Sequence, residues 1–336
     1  MKAAAALAER PSTEAALPQA LYRTMVRIRL VEERIAQLYG EQEMRCPCHF
    51  SIGQEAVAAG ACAHLSEEDL LFGTYRGHGI YLAKGGDLKA LMAELYGKET
   101  GCAHGRGGSM QLIAPEVGLV CTSAIVGGTI PMAVGAALSA TVRRTRQIAM
   151  VLFGDGATEE GVFHESLNFA ALKRLPVIFV CENNLYACYS HQRDRQPLDN
   201  IAERASAYGL PGARVDGNDV MAVYRSVGEA VQRIRQGLGP TLIECRTYRW
   251  LEHVGPADDT PLGYRSPEEL AAWKARCPIR RFEQEPSTGQ ALSAEFRAQV
   301  AAAVQQELEE AVAFAKRSPW PEASQLARGV YAEASS

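Results

Sequence analysis

No run of about 18 apolar residues occurs anywhere in the sequence, so no segment is expected to span a membrane. Met1 to Ala8 is too short and too rich in alanine for a secretory core, and Glu9-Arg10-Pro11 ends it. Paired cysteine spacing is also missing. Nine cysteines are scattered along the chain, an odd count that fits reduced thiols in a cytoplasmic protein better than a disulfide framework. Cys46-Pro47-Cys48 beside His49 invites a zinc site, but the gap is one residue short of the usual two and no second ligand pair follows. Charge is modest, with a net value of −4, which leaves no basic footprint for nucleic acid. There is no internal repeat and no composition that marks a linker. The 336 residues have room for one large α/β domain or two ordinary ones. The expectation is a flexible tail over 1–17 and one α/β domain over 18–336 with helical extensions at both ends.

What the chain does have is two unbroken apolar runs, Ile148 to Phe153 and Val177 to Val180. Such runs read as strands buried on both faces, the pattern of parallel sheets. Between them, Val162, Phe163, Leu167, Ala170, Ala171 and Leu175 recur at the spacing of an amphipathic helix over 161–175. Strand, helix and strand form a unit whose crossover should be right-handed and whose strands should be parallel.

Each run is followed by chemistry-bearing residues: Gly154-Asp155-Gly156 after the first, Asn183-Asn184 after the second. Adjacent strands lie about 4.8 Å apart, so if the two are neighbours the Asp155 carboxylate and the Asn184 amide oxygen converge. Open parallel sheets bind ligands at that edge, where helix N-termini favour anions. A carboxylate, an amide oxygen and a diphosphate supply the hard oxygen donors that Mg²⁺ prefers. Asp155-Gly156 could instead be a hairpin turn, but the helical pattern that follows argues against it.

Elsewhere, Pro18 to Tyr39 reads as a helix with Leu21, Met25, Ile28, Leu30, Val31 and Ile35 inward. Its charged residues Arg23, Arg27, Glu32, Glu33 and Arg34 should point mostly outward. Gly101 to Pro131 is glycine-rich and reads as tight loops close to a ligand. Two polar stretches, Ala187 to Asn200 and Glu252 to Arg265, interrupt periodic sequence, and loops of that length are commonly functional or disordered. Ser293 to Lys316 is rich in Ala, Glu and Gln and predicts a terminal helix.

Gly154-Asp155-Gly156 followed by Asn183-Asn184 resembles the thiamine diphosphate signature. The string from Gly154 to Ala187 is similar to the alpha subunit of heterotetrameric 2-oxo-acid dehydrogenases, in their first, decarboxylating component of the pyruvate and acetoin types. The resemblance extends from about Leu21 to Arg281 through His49–Ala56, Thr74–Gly79, Gly105–Met110, Ile125–Pro131, Arg214–Asp219 and Gly263–Glu269. It implies a mostly parallel α/β thiamine diphosphate-binding fold with helices on both faces. The cofactors implied are thiamine diphosphate and Mg²⁺.

Carried onto this chain, the resemblance makes Asp155, Asn184 and the carbonyl of Tyr186 the metal ligands. Gly156 and Ala157 would touch the diphosphate through backbone N–H groups, and Tyr75 and Arg76 would reach it. Ala124 and Val126 fall where the family holds the cofactor between its rings. His253 matches an active-site loop histidine that also meets the cofactor. His49 and His78 are the other candidates near the reacting carbon, since imidazole gives or takes protons near neutrality. His64, His104, His164 and His191 keep the default of structural hydrogen bonding, and Arg265 would anchor the His253 loop.

A beta subunit would supply the glutamate that activates the cofactor in an α2β2 assembly. The substrate would be a 2-oxo acid such as pyruvate, or acetoin, and a lipoyl acyltransferase would take the acyl group. Departures from the family pattern are Gln111 after Met110, Glu159 where asparagine is common, and Leu251-Glu252-His253-Val254 in the loop. These leave two alternatives open: transketolase-like two-carbon transfer in a biosynthetic pathway, and a non-catalytic scaffold subunit.

Overall fold

The structure, a computed structural model, describes residues 16–286, 288 and 291–325. The expected tail therefore falls outside the described residues up to position 15, and Leu17 already belongs to the first helix. Helices are α1 (Leu17–Tyr39), α2 (Glu55–Cys62), α3 (His78–Ala83), α4 (Leu88–Leu95), α5 (Thr129–Arg143) and α6 (Gly161–Lys173). They continue as α7 (Gln192–Arg195), α8 (Val220–Arg235), α9 (Pro267–Ala275), α10 (Pro278–Gln284) and α11 (Ala294–Arg317). Strands are β1 (Leu70–Thr74), β2 (Leu119–Ser123), β3 (Ala149–Gly154), β4 (Val177–Asn183), β7 (Gly212–Asp216) and β8 (Thr241–Arg246), with a small hairpin of β5 (Tyr186–Ala187) and β6 (Ser190–His191).

The six longer strands form one sheet in the order β2-β1-β3-β4-β8-β7, and every pairing in it is parallel. Alternate side chains leave opposite faces of a strand. Met150, Leu152, Ile178, Val180 and Ile243 enter a core shared with α1, α2, α3, α4, α8 and α11. Val151, Phe153, Val177, Phe179 and Leu242 enter a second core under α5 and α6. Both faces are covered, which is why the strands read as unbroken apolar runs.

Four local expectations change. β4 runs on to Asn183 because its polar end is satisfied inside the sheet: the Asn183 amide donates to Glu244 at 2.8 Å and to Gln192 at 3.0 Å. On α1, Arg27 and Glu32 turn inward. Arg27 pairs with Glu307 at 2.7 Å, and the buried Glu32 carboxylate accepts from the Ser51 N–H at 2.8 Å and from the Ser51 hydroxyl at 3.0 Å. The glycine-rich stretch holds β2 and the start of α5. Its first part wraps a side chain of the chain itself, since the buried Glu94 carboxylate accepts N–H bonds from Ala103, Gly105, Gly107 and Gly108 at 2.7–3.0 Å. The polar stretch after β5 folds into the hairpin and α7.

Candidate cofactor and metal site

Four C-terminal strand ends deliver the sequence-predicted residues to one edge. β1 leads into Tyr75 and Arg76, β2 into Ala124 to Val126, β3 into Asp155, and β4 into Asn184. Gly154 lies opposite Glu182 in the β3–β4 register, so the chain places Asp155 and Asn184 just past neighbouring strand ends. Asp155 is 1 % exposed. Burial raises its pKa, and the guanidinium of Arg195 opposes that rise. Arg195 bridges the carboxylates of Asp155 and Glu159. Asn184 donates to the Gln54 side chain at 2.8 Å, and its side-chain oxygen Oδ1 accepts from the Tyr186 N–H at 3.3 Å. At Gly156 a Cβ would come within 2.9 Å of the Ala187 methyl, so the absence of a side chain lets the two turns meet.

Tyr75, His49 and His253 form a triangle of rings beside this edge. Their centroids lie 4.5 Å (His49–Tyr75), 5.1 Å (His49–His253) and 5.6 Å (Tyr75–His253) apart. Arg76 ties the triangle together from behind, donating to the Phe50 carbonyl at 2.6 Å and the His253 carbonyl at 3.3 Å. The Cys188 thiol lies 3.4 Å from His253 Nε2.

His78 is not brought to the triangle. It is fully buried, 2.7 Å from the Ser109 hydroxyl and 3.3 Å from Glu32. Its buried ring lies against groups of the chain itself. The other four histidines have structural surroundings. His64 meets the Tyr224 carbonyl at 2.8 Å, His164 meets the Tyr208 hydroxyl at 2.8 Å, His191 accepts from the Arg193 N–H at 3.0 Å, and His104 lies 3.2 Å from the Glu99 carbonyl. Val126 is 44 % exposed and Ile125 71 % exposed, so the loop after β2 is an apolar wall open on one side.

The loop that carries His253 hangs on a buried charge cluster. Arg265 donates to Asp259 at 2.6 Å and to the carbonyls of Arg249, Trp250 and Leu251 at 2.8–3.3 Å. Arg249 reaches the same carboxylate at 3.1 Å. Burial alone would raise the Asp259 pKa, but the Tyr264 hydroxyl and the two guanidiniums hold it below the usual carboxylate range. The Gly255 N–H, bonded to the Cys48 carbonyl at 2.8 Å, stitches the loop to the segment that carries His49.

Electrostatics sets the protonation of this edge. Burial, then the charge of Arg76, pushes His49 down to about 3 and His253 down to about 4. Both rings are therefore neutral at pH 7. Glu182 moves the other way: burial raises it to about 7, Arg76 opposing and Glu32 adding. The signs give a stability prediction. A histidine whose folded pKa lies below its unfolded value stabilises above about 6.5, and loses that contribution as pH falls toward the folded value. The raised Glu182 contributes below its unfolded value and loses that contribution as pH rises through about 7. The melting temperature of a His49→Gln/His253→Gln double variant should therefore fall less than that of the wild type between pH 6.5 and pH 4. Parallel melting curves for the two proteins would contradict the burial assigned to these rings.

The donor set fits a hard cation with a diphosphate. Two oxygen-bearing side chains sit on adjoining strand ends, and the nearby His49 Nδ1 and Gln54 Nε2 are buried without a hydrogen-bond partner. Sequence pattern did not reveal Arg195, Gln54 or Cys188. Gln54 was visible only as part of the His49–Ala56 segment, and Arg195 lies 40 residues beyond the carboxylate it meets.

The fold thus describes a parallel α/β protein whose strand ends gather oxygen-bearing side chains at one edge. More narrowly, the chain belongs to the dehydrogenase E1 component family, whose profile matches residues 23–324. It is 39 % identical over 312 residues to the alpha subunit of acetoin:2,6-dichlorophenolindophenol oxidoreductase from Bacillus subtilis, a match covering 93 % of this chain and 92 % of that one. It is 40 % identical over 320 residues to the pyruvate dehydrogenase E1 component subunit alpha of Porphyra purpurea, with the same coverages of 93 % and 92 %. The testis-specific mitochondrial form of that subunit from Homo sapiens is 33 % identical over 316 residues, covering 94 % of this chain and 80 % of the relative. Membership of this family implies thiamine diphosphate as the cofactor. Among the described residues, no helix is long and apolar enough to cross a membrane.

Proposed function

We propose that this chain is the alpha subunit of a thiamine diphosphate-dependent dehydrogenase first component that acts on a 2-oxo acid or on acetoin. The observation that carries the assignment is the buried Asp155 carboxylate at the end of β3, beside Asn184 at the end of β4. In this proposal Asp155, Asn184 and the Tyr186 carbonyl hold Mg²⁺, and Gly156 and Ala157 offer N–H groups to the diphosphate. When bound, the cofactor supplies an electron sink for decarboxylation or C–C cleavage. Arg76 uses two donors on carbonyls of the chain, which fixes the guanidinium so that its remaining donors can meet a phosphate oxygen. Tyr75 and Val126 would flank the bound cofactor. His253 and His49, neutral at pH 7, can each accept a proton or hydrogen-bond a substrate oxygen. His78 positions the segment around Ser51 through Glu32.

The open face of Ile125 and Val126 supports the need for a second polypeptide, a beta subunit that covers the loop and brings the activating carboxylate. In this proposal a lipoyl acyltransferase takes the acyl group, and the chain works in the cytoplasm with reduced thiols, a reading supported by the scattered cysteine spacing. All nine cysteines are free.

The test uses the chain assembled with its beta partner, thiamine diphosphate and Mg²⁺. Ferricyanide reduction dependent on a 2-oxo acid or acetoin is expected. A ketose or 2-hydroxyketone product without such reduction would favour two-carbon transfer instead. Failure of the assembly to bind thiamine diphosphate in a Mg²⁺-dependent way would leave only a scaffold role.

A further inference from the structure

Arg195 occupies an unusual place. Its guanidinium joins two carboxylates of one turn, Asp155 and Glu159, and its Nε donates to the Ser190 carbonyl at 3.1 Å. The Asp155 side chain is 2 % exposed, the Arg195 side chain 13 % and the Glu159 side chain 35 %. One oxygen of the proposed metal-binding carboxylate, Oδ2, is therefore held by a built-in cation, while the second carboxylate stands nearer to solvent. The segment that bears Arg195 is fixed by its neighbour. Gln196 Nε2 donates to Glu159 at 2.9 Å, to the Thr158 hydroxyl at 3.2 Å and to the Asp155 carbonyl at 3.4 Å. The arginine side chain can thus move without unseating α7.

A divalent ion and a guanidinium cannot both sit on one buried carboxylate oxygen without strong mutual repulsion. An unpaired buried carboxylate is costly, so a cation partner is needed whenever metal is absent. We propose that Arg195 is a displaceable latch. It holds Asp155 in place in the metal-free chain, then withdraws onto Glu159 when the metal enters. Arg195 is a positioning residue here, and Glu159 is its second seat. The latch rests on the assignment of Asp155 as a metal ligand, and it adds competition: metal affinity is set partly by how often the pair is open.

The chain assembled with its beta partner, stripped of metal and cofactor, is titrated with Mn²⁺ and followed by electron paramagnetic resonance, alone and with thiamine diphosphate. Arg195→Met should tighten Mn²⁺ by about tenfold, as for a pair closed about nine-tenths of the time. Glu159→Gln, which leaves Asp155 as the one carboxylate facing the arginine, should weaken Mn²⁺ several-fold. Arg195→Lys keeps a cation and should return toward the wild type. In melting curves the metal-free Arg195→Met protein should lose stability, while the Mn²⁺-loaded protein should match the loaded wild type, which also shows that the variant folds. Unchanged or weaker Mn²⁺ binding in Arg195→Met would overturn the latch, because the arginine would then be a bystander or a phosphate ligand. Absence of Mn²⁺ binding by the wild-type assembly would instead overturn the ligand role of Asp155, and the latch with it.

Discussion

Asp155→Asn in the assembled enzyme is expected to abolish Mg²⁺-dependent cofactor binding at ordinary concentrations and to lower turnover by at least about a thousandfold. Altering a group that merely orients a metal ligand already costs about 10- to 100-fold, and here a charged ligand itself is lost. Asparagine keeps the shape and one oxygen. The turn from Asp155 to Glu159 should therefore survive, held by the Thr158 hydroxyl donating to the carbonyl of residue 155 at 2.7 Å and by Gln196. The metal-free melting temperature should change little, since Arg195 keeps Glu159 as a partner. Calorimetry of thiamine diphosphate with and without Mg²⁺ separates these effects. Wild-type affinity in the variant would remove Asp155 from the metal and leave the edge without its chemistry.

That such a residue can be picked from sequence at all depends on where the physics is local. The β3–α6–β4 unit was legible because burial on both faces forces unbroken apolar runs, and because the candidate site residues follow those runs directly. The two long helices at either end were legible within a residue. The Pro18–Tyr39 expectation meets a helix from Leu17, and the Ser293–Lys316 expectation meets one from Ala294, with the Ser293 hydroxyl accepting from the Phe296 N–H at 3.2 Å as its cap.

Groups whose partners are remote in sequence were hidden. Arg27 and Glu32 looked like a solvated face of α1, yet they answer to Glu307 and Ser51, 280 and 19 residues away. The glycines after Gly101 read as loops close to a ligand, but the side chain the first of them surround is Glu94 of α4. Hydrophobic periodicity carries no trace of a buried ion pair, because it records which face is apolar and not which charge finds a partner there.

The same distinction bears on the His253 loop, where a buried charge cluster sits beside the rings of Tyr248, Tyr264 and Trp273. Arg265→Met should cost about 3 kcal/mol or more, the range for breaking a buried pair by removing one partner. The Arg265 and Asp259 side chains are both wholly buried, and the carbonyls of Arg249 and Trp250 would lose their side-chain donor, while that of Leu251 keeps Arg249 at 2.7 Å. Arg249 would still meet Asp259 at 3.1 Å, which limits the damage to the carboxylate and leaves the carbonyls as the main loss. Amide hydrogen exchange should rise across residues 249–262 while β3 and β4 stay protected. Cofactor binding should then weaken less than turnover, since Asp155 and Asn184 stand on strands and His253 stands on the loosened segment. Methionine is close in length to the arginine stem, so the cavity is small and the readout is the lost charge and donors. Unchanged exchange across 249–262 in the variant would mean that packing of Tyr248 against Trp273, whose rings stack 5.4 Å apart, holds the loop instead of the arginine.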